Sequence, residues 1–127
     1  MLPATLQTII EQYIQAYNQF DVPGMLTHLH PDIEFRNISN GEVTHSLKGK
    51  AAFREQAEQA VRYFSQRKQS IQHINFQPDQ AEVLLDYVAV LAIDLPNGMK
   101  KGDTLQLKGK SVFRFQYQQI ILIEDIS

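Results

Sequence analysis

The chain has 127 residues, the length of a single domain, because domains commonly contain about 100–200 residues. Its hydrophobic fraction of 43% and charged fraction of 20% are typical of a globular protein and exclude a disordered chain. Twelve Lys and Arg residues against fourteen Asp and Glu residues give a net charge of −2, without the basic cluster that nucleic-acid binding requires. The absence of cysteine excludes disulfides and thiolate chemistry. We therefore predict one domain over residues 1–127 that does not bind nucleic acid.

The sequence carries no membrane signal. The first residues lack the basic stretch and the apolar stretch of a secretory signal. The longest apolar runs, Val88–Ile93 and Ile120–Ile123, are far shorter than the roughly 20 residues of a membrane helix. We expect a cytoplasmic protein that does not bind a membrane.

Helical periodicity predicts three helices in the first half of the chain. Apolar residues at i, i+3 and i+4 predict a helix at about 4–20, and Pro3 suits its first turn. Asp21-Val22-Pro23 predicts the cap and first turn of a short second helix that includes Leu29 and ends at His30-Pro31. A further apolar stripe predicts a third helix at about 50–67, with Phe53, Ala57, Ala60, Val61 and Phe64 on its buried side.

The rest of the chain predicts strands. A period of two begins after Pro31, where Phe35 and Asn37 would share an inner face. Segments rich in β-branched and aromatic residues and bounded by turns predict further strands at 71–76, 83–94, 104–116 and 120–126. In the strand at 104–116, Ser111 and Phe113 lie on the predicted inner face. This order of elements predicts an α+β fold, in which helices pack on a curved, mostly antiparallel sheet, and such a sheet commonly leaves a pocket.

Similarity to a known family lies in three segments, Gln12–Asp21, Pro31–Phe35 and Gly49–Phe53. Together they resemble the nuclear-transport-factor-2-like superfamily and, within it, SnoaL-like domains. The resemblance implies a cystatin-like cone, in which three N-terminal helices pack on a strongly curved sheet and enclose a pocket. It does not fix a function, because this superfamily contains isomerases, dehydratases, cyclases, hydrolases and non-catalytic binding proteins.

The ketosteroid isomerases of this superfamily provide a comparison for three positions. Their oxyanion-donor tyrosine would fall at Tyr13, their aspartate base at Asn37 and their protonated aspartate at Ser111. Because an amide has no useful basicity near neutral pH, Asn37 cannot abstract a proton from carbon. By the same comparison, we expect Glu124 on the last strand to face the pocket and to replace the missing base.

Each of these residues also has a structural interpretation. Tyr13 and Tyr17 lie one helical turn apart and can face a ligand or pack in the core. Asn37 can bind a ligand or hold the turn that follows it. Ser111 can be a donor or a small filler, and Glu124 can be catalytic or can lie at the rim or in a dimer contact.

Two other polar features are interpreted structurally. Asp86 lies in an apolar strand and requires a partner, for which Arg62 and Arg67 are candidates. His28 and His30 would point in different directions at a helix end, so no metal site is predicted. No cofactor is predicted either, because the sequence has no Gly-rich phosphate loop.

Two functions are compatible with these residues. The first is binding of a small hydrophobic or carbonyl-containing molecule, with Tyr13 and Glu124 as the catalytic pair for proton transfer of the isomerase, cyclase or dehydratase type. The second is a non-catalytic binding or interaction module. Apolar residues on both faces of the last strands favour a homodimer through the outer sheet face. The residues expected to line the pocket are Tyr17, Phe35, Asn37, Phe53, Phe64, Ser111 and Phe113.

Overall fold

The computed structural model describes residues 2–127, so Met1 of the predicted domain lies outside the described residues. Within them, no helix is long and apolar enough to cross a membrane. The elements in residues 2–127 are α1 (Pro3–Asn18), α2 (Val22–Leu26), β1 (Leu29–Ser39), β2 (Glu42–Lys48), α3 (Lys50–Ala60), a short 3₁₀ helix (Val61–Tyr63), β3 (Phe64–Gln77), β4 (Gln80–Leu91), β5 (Thr104–Gln116) and β6 (Gln119–Ile126).

The strands of residues 2–127 form one six-stranded sheet in the order β2-β1-β6-β5-β4-β3. The β1–β6 pair is parallel and the other neighbouring pairs are antiparallel. The main core lies between the helices and the inner face of the sheet, where Leu6 and Ile10 of α1 are buried together with Ile33 of β1 and Ile120 of β6. The α+β class and the mostly antiparallel sheet are therefore confirmed.

The first helix is fixed at its C-terminal end by one side chain. Asn18 Nδ2 donates to the Gln69 carbonyl at 3.1 Å, and Gln69 N donates to Asn18 Oδ1 at 2.8 Å. These two hydrogen bonds join the side-chain amide of Asn18 to the backbone of β3. They hold the last turns of α1, which carry Tyr13 and Tyr17, over β3.

The short second helix begins as predicted and ends earlier. Asp21 caps it, because its carboxylate accepts a hydrogen bond of 3.0 Å from Gly24 N. A Cβ atom at Gly24 would collide with that carboxylate. The helix ends at Leu26, and Leu29, predicted to be helical, is the first residue of β1.

In the middle of the chain, one prediction of secondary structure is wrong and one strand was not predicted. The third helix ends at Ala60 rather than near residue 67, and Phe64 is the first residue of β3, where it pairs with Leu91 of β4. Phe64 is thus spaced from the apolar residues of α3 as a helical residue would be, although it lies outside the helix. The strand β2 was not predicted, because it is an exposed edge strand with no buried face in its sequence.

The last strand contains a β-bulge that decides which of its residues face the helices. Phe115 of β5 pairs with Ile120, whereas the preceding Arg114 pairs with Leu122, so β6 has one extra residue at Ile121. A bulge of this kind reverses the alternation of inward and outward side chains. After the bulge, the odd-numbered residues of β6 face the helices.

Candidate functional site

Three polar residues form a row across the centre of the inner sheet face. Asn37 of β1 pairs with Asp125 of β6, and Asp125 pairs with Ser111 of β5. Ser111 Oγ donates a hydrogen bond of 2.6 Å to Asp125 Oδ1. The neighbouring row includes Phe35 and Phe113, so the carboxylate lies beside aromatic side chains.

Two adjoining cavities lie between this row and the helices. The sheet cavity, of about 210 Å³, is lined mainly by strand residues, including Asn37, Tyr87 and Ser111. The helix cavity, of about 150 Å³, is lined mainly by residues of the helices and β3, including Tyr13, Phe53 and Arg67. Tyr17, Phe64 and Asp125 line both cavities. Asp125 therefore lies at their junction, where one ligand could contact it from either side.

Asp125 is the only acidic side chain of residues 2–127 that lines either cavity. Burial raises its pKa from 3.8 to about 6, and the hydrogen bond from Ser111 opposes this shift. A carboxylate with such a pKa is mostly ionised at neutral pH and is a stronger base than an exposed aspartate. Asp125 thus combines exposure to a cavity with the raised pKa that is common among general bases.

Tyr13 presents a protonated hydroxyl to the helix cavity. Its ring makes edge contacts with Phe53 at 6.5 Å and with Phe113 at 5.8 Å between ring centres. Burial raises the pKa of Tyr13, and the negative charge of Asp125 raises it further. Its hydroxyl makes no hydrogen bond to another side chain of the described residues, so it is available to donate to a ligand.

A pair of tyrosines spans the two cavities. The Tyr17 hydroxyl donates to the Tyr87 hydroxyl at 3.1 Å, and the Tyr87 ring packs edge-on against Phe64. Burial raises the pKa of both phenols. Because Tyr87 accepts this hydrogen bond, its own proton remains available in the sheet cavity. Tyr87 was not predicted as a site residue, because its strand is mostly apolar and resembles core.

Arg67 is a buried cation at the end of the helix cavity, with 5% of its surface exposed. Its Nε donates to the Tyr17 carbonyl at 2.8 Å. The predicted pairing of Asp86 with Arg62 or Arg67 is wrong, since neither arginine makes an ion pair in the described part of the chain. Arg67 faces the helices, whereas Asp86 lies on the opposite sheet face, across from Lys108 of β5.

Glu124 lies on the outer sheet face and not in the pocket. Arg36 Nη1 donates to Glu124 Oε2 at 3.1 Å, and Arg36 Nη2 donates to Glu34 Oε2 at 3.0 Å. The expected inward orientation of Glu124 is thus wrong, because the register of β6 is shifted by one residue. Without the bulge at Ile121, the alternation that places Ile120 in the core would also turn Glu124 inward.

The other predicted pocket residues fall into two groups. Phe113 lines neither cavity, because it is buried beneath Tyr13 with 1% of its surface exposed. Asn37 lines the sheet cavity, and its Nδ2 donates to Thr44 Oγ1 of β2 at 2.8 Å, which ties it to the adjacent strand. The predicted residues that line at least one cavity are Tyr17, Phe35, Asn37, Phe53, Phe64 and Ser111.

The side chains of His28, which follows α2, and His30, which lies in β1, do not converge. His28 Nε2 contacts Gln12 Oε1, whereas His30 Nδ1 accepts a hydrogen bond of 3.0 Å from Asp32 N. Among the residues that the structure describes, no group of three or more His, Asp or Glu side chains is placed to hold a metal ion.

A family comparison identifies the class of domain. The model of the SnoaL-like domain matches residues 10–123. The chain therefore belongs to the SnoaL-like domain family, which confirms the resemblance to the nuclear-transport-factor-2-like superfamily. No curated protein matches the chain.

Solved structures share the fold at low sequence identity. An NTF2-like protein of unknown function from Burkholderia pseudomallei is 17% identical with a TM-score of 0.77, over 98% of this chain and 90% of that chain. A protein from Pseudomonas putida described as a candidate polyketide cyclase is 21% identical with a TM-score of 0.73, over 92% of this chain and 86% of that chain. An LEH-like epoxide hydrolase from M. tuberculosis is 13% identical with a TM-score of 0.74, over 94% of this chain and 79% of that chain. At these identities, the similarity shows the fold.

Proposed function

We propose that the protein binds a small, largely apolar molecule with a carbonyl group in the two adjoining cavities, and that Asp125 transfers a proton at the carbon next to that carbonyl. The position of Asp125 carries this proposal. It is the one acidic side chain among residues 2–127 at the junction of the cavities, and its pKa is raised towards neutrality by burial. Groups with these properties are common among catalytic bases.

The chemistry requires a base and a donor for the developing negative charge. Asp125 would take the proton as the C–H bond breaks, and the electron pair of that bond would move to the carbonyl oxygen to form an enolate. Tyr13 lines the helix cavity with an unused hydroxyl and would donate a hydrogen bond to that oxygen. Where a C=C bond is conjugated with the enolate, return of the proton from Asp125 to the far carbon of that dienolate gives isomerisation. Attack of the enolate carbon on a second carbonyl of the same molecule gives cyclisation, and the proton held by Asp125 then passes to the new alkoxide.

The comparisons support this class of reaction without naming a substrate. The chain belongs to the SnoaL-like family, and the Pseudomonas putida neighbour is described as a candidate polyketide cyclase. Cyclisation of a polyketide begins with the removal of a proton next to a carbonyl. The same chemistry fits Asp125 and Tyr13 here.

Exchange of carbon-bound hydrogen tests the proposal without knowledge of the natural substrate. The probe is 2-tetralone, a bicyclic ketone whose C1 hydrogens exchange with D₂O when a base removes them, and proton NMR follows the loss of signal. We expect the wild-type protein to accelerate this exchange above the buffer rate. We expect Asp125→Asn to reduce the acceleration by about 100-fold or more, because general bases commonly contribute about 10²–10⁴-fold.

Glu124→Gln is the matched control, because it removes the adjacent carboxylate on the outer sheet face. It should leave the acceleration within about twofold of the wild type, since an exposed ion pair contributes little to a distant site. Full acceleration by Asp125→Asn, or loss in Glu124→Gln, would exclude Asp125 as the base. Absence of acceleration by the wild type, with 2-tetralone bound, would favour a non-catalytic protein.

We propose a non-catalytic homodimeric binding module as the second candidate function. Leu84 and Val88 on the outer side of β4 expose 39% and 43% of their surface and could form a contact with a second copy of the chain. Leu122 is one of the apolar residues of the last strands that led us to expect a dimer. It is buried within a single chain, with 6% of its surface exposed, and therefore needs no partner. Light scattering tests this proposal: the wild type should be a dimer at micromolar concentration and Leu84→Lys a monomer, whereas a monomeric wild type would contradict it.

A further inference from the structure

Arg67 is a buried cation without an anionic partner. Its side chain is 5% exposed, and its guanidinium carbon lies 3.7 Å from the centre of the Tyr17 ring and 4.8 Å from that of Phe20. Within residues 2–127 it makes no ion pair, and its hydrogen bonds go to the Tyr17 carbonyl and, at 3.9 Å, to Met25 Sδ. A guanidinium cannot lose its proton in a protein, so the charge remains in place.

The guanidinium has N–H donors that no strong acceptor uses. Nε is satisfied at the end of α1, where the helix dipole also favours a positive charge. The two terminal nitrogens carry four N–H groups, and a thioether is a weak acceptor for them. Arg67 lines the helix cavity together with Tyr13 and Phe35. A buried charge is costly unless it is paired, so a negative group in this cavity would relieve that cost.

Arg67 and Asp125 act on the same phenols from different positions. The charge of Asp125 raises the pKa of Tyr13, Tyr17 and Tyr87, whereas the charge of Arg67 lowers the pKa of all three. The two charged groups line the same cavity without forming an ion pair with each other. A ligand between them would therefore have a cationic contact at one end and a base at the other.

We propose that the ligand is an oxo-acid with an apolar body, whose carboxylate binds the Arg67 guanidinium in the helix cavity. The inference rests on the proposed function for the location of the ligand and adds its charge. The planar guanidinium matches a carboxylate through paired hydrogen bonds. With the carboxylate at Arg67, the carbonyl lies towards Tyr13 and Asp125, and the apolar body contacts Phe35, Phe53 and Phe64.

Two bicyclic probes of the same shape test the charge of the ligand. They are 2-naphthoate, which carries a carboxylate, and 2-naphthamide, which is neutral, and their dissociation constants are measured by NMR titration near pH 7.5. We expect the wild type to bind the carboxylate at least about tenfold more tightly, because charged hydrogen bonds are stronger than neutral ones. Arg67→Gln should remove this preference and leave the affinity for the amide nearly unchanged.

Arg114→Gln is the matched control, because Arg114 is an exposed arginine of β5 that contacts Gln80. It should keep the preference for the carboxylate. If Arg67→Gln does not fold, Arg67→Lys replaces it and should retain only part of the preference, because lysine cannot form the paired hydrogen bonds of a guanidinium. An unchanged preference in Arg67→Lys would then overturn the inference.

The outcomes separate this inference from the proposed function. Equal affinity of the wild type for the two probes would overturn the role of Arg67 and leave Asp125 as a base for neutral ketones. Binding of neither probe would contradict both the inference and the proposed pocket. A carboxylate preference that persists in a folded Arg67→Gln variant would also overturn the inference.

Discussion

Ser111 Oγ donates a hydrogen bond of 2.6 Å to Asp125 Oδ1 across the β5–β6 pair. This hydrogen bond stabilises the ionised carboxylate, whereas burial destabilises it, and burial has the larger effect on the pKa. The carboxylate is therefore a stronger base than an exposed aspartate and is still mostly ionised at neutral pH. Ser111, one of the residues predicted from the sequence to line the pocket, holds the Asp125 carboxylate by this hydrogen bond.

Replacement of Ser111 by alanine should raise the pKa of Asp125 above its value of about 6. The hydrogen bond favours the ionised form, so its loss should move the midpoint upwards by about one pH unit. Carbon-13 NMR of the Asp125 carboxyl group in wild type and Ser111→Ala measures both midpoints. An unchanged or lower midpoint in the variant would show that the hydrogen bond does not stabilise the carboxylate.

The raised pKa of Asp125 makes a pH-dependent contribution to stability. Between pH 3.8 and about 6, the folded state binds more protons at Asp125 than the unfolded state does. The free energy of unfolding therefore falls as pH rises through this window, by up to about 3 kcal/mol from this group. Above the window, the cost of the buried charge is fully present, and below it the cost is absent.

Asp125→Asn should accordingly have a more favourable effect on the free energy of unfolding at pH 8, where it removes a buried charge, than near pH 4, where the carboxyl group is already protonated. The amide carries no charge and still offers an oxygen to Ser111. Urea unfolding of the wild type and the variant at both pH values measures the difference, and other titrating groups cancel between the two proteins. The same difference at both pH values would contradict the raised pKa.

Replacement of Tyr13 by phenylalanine should reduce the exchange of 2-tetralone by about 100-fold, since a donor to a developing oxyanion commonly contributes this much. Stability should change by less than about 1 kcal/mol, because the ring contacts with Phe53 and Phe113 are kept. The exchange rate and the urea midpoint of Tyr13→Phe measure the two effects. An unchanged exchange rate of 2-tetralone would show that Tyr13 contributes packing and does not donate to the oxyanion.

The ion pair of Arg36 and Glu124 predicts a small coupling energy and no effect on exchange. The two side chains are 39% and 20% exposed, so solvent screens much of their attraction. A double-mutant cycle with Arg36→Ala and Glu124→Ala should give about 0.5 kcal/mol of coupling. Zero coupling together with impaired exchange would place Glu124 on the inner face and contradict the bulge in β6.

The sequence predicted the fold class because the buried faces of α1 and β5 follow their periods closely. Leu6 and Ile10 are buried as the helical spacing requires, and Ser111 and Phe113 face inward as the alternation requires. The family resemblance added the cone shape. These features depend on many residues at once, so a single irregular position does not change them.

The candidate site was harder to predict because it depends on single positions. Because of one extra residue at Ile121, Asp125 faces the helices in place of Glu124. The alternation of apolar residues alone does not indicate the bulge. Arg67 was placed at the end of a helix because Phe64 follows helical spacing, although both residues lie in β3. A buried arginine, and the cavity beside it, become visible only when the strands are paired.

The dependence of 2-tetralone exchange on pH tests the central claim, that Asp125 is the base of a ligand pocket. After subtraction of the buffer rate, the wild-type rate constant should rise with a midpoint near pH 6, the pKa of the buried carboxyl, and then level off. Glu124→Gln should give the same curve, and Asp125→Asn should stay near the buffer rate at every pH. A curve with the same midpoint and amplitude in Asp125→Asn would contradict the account.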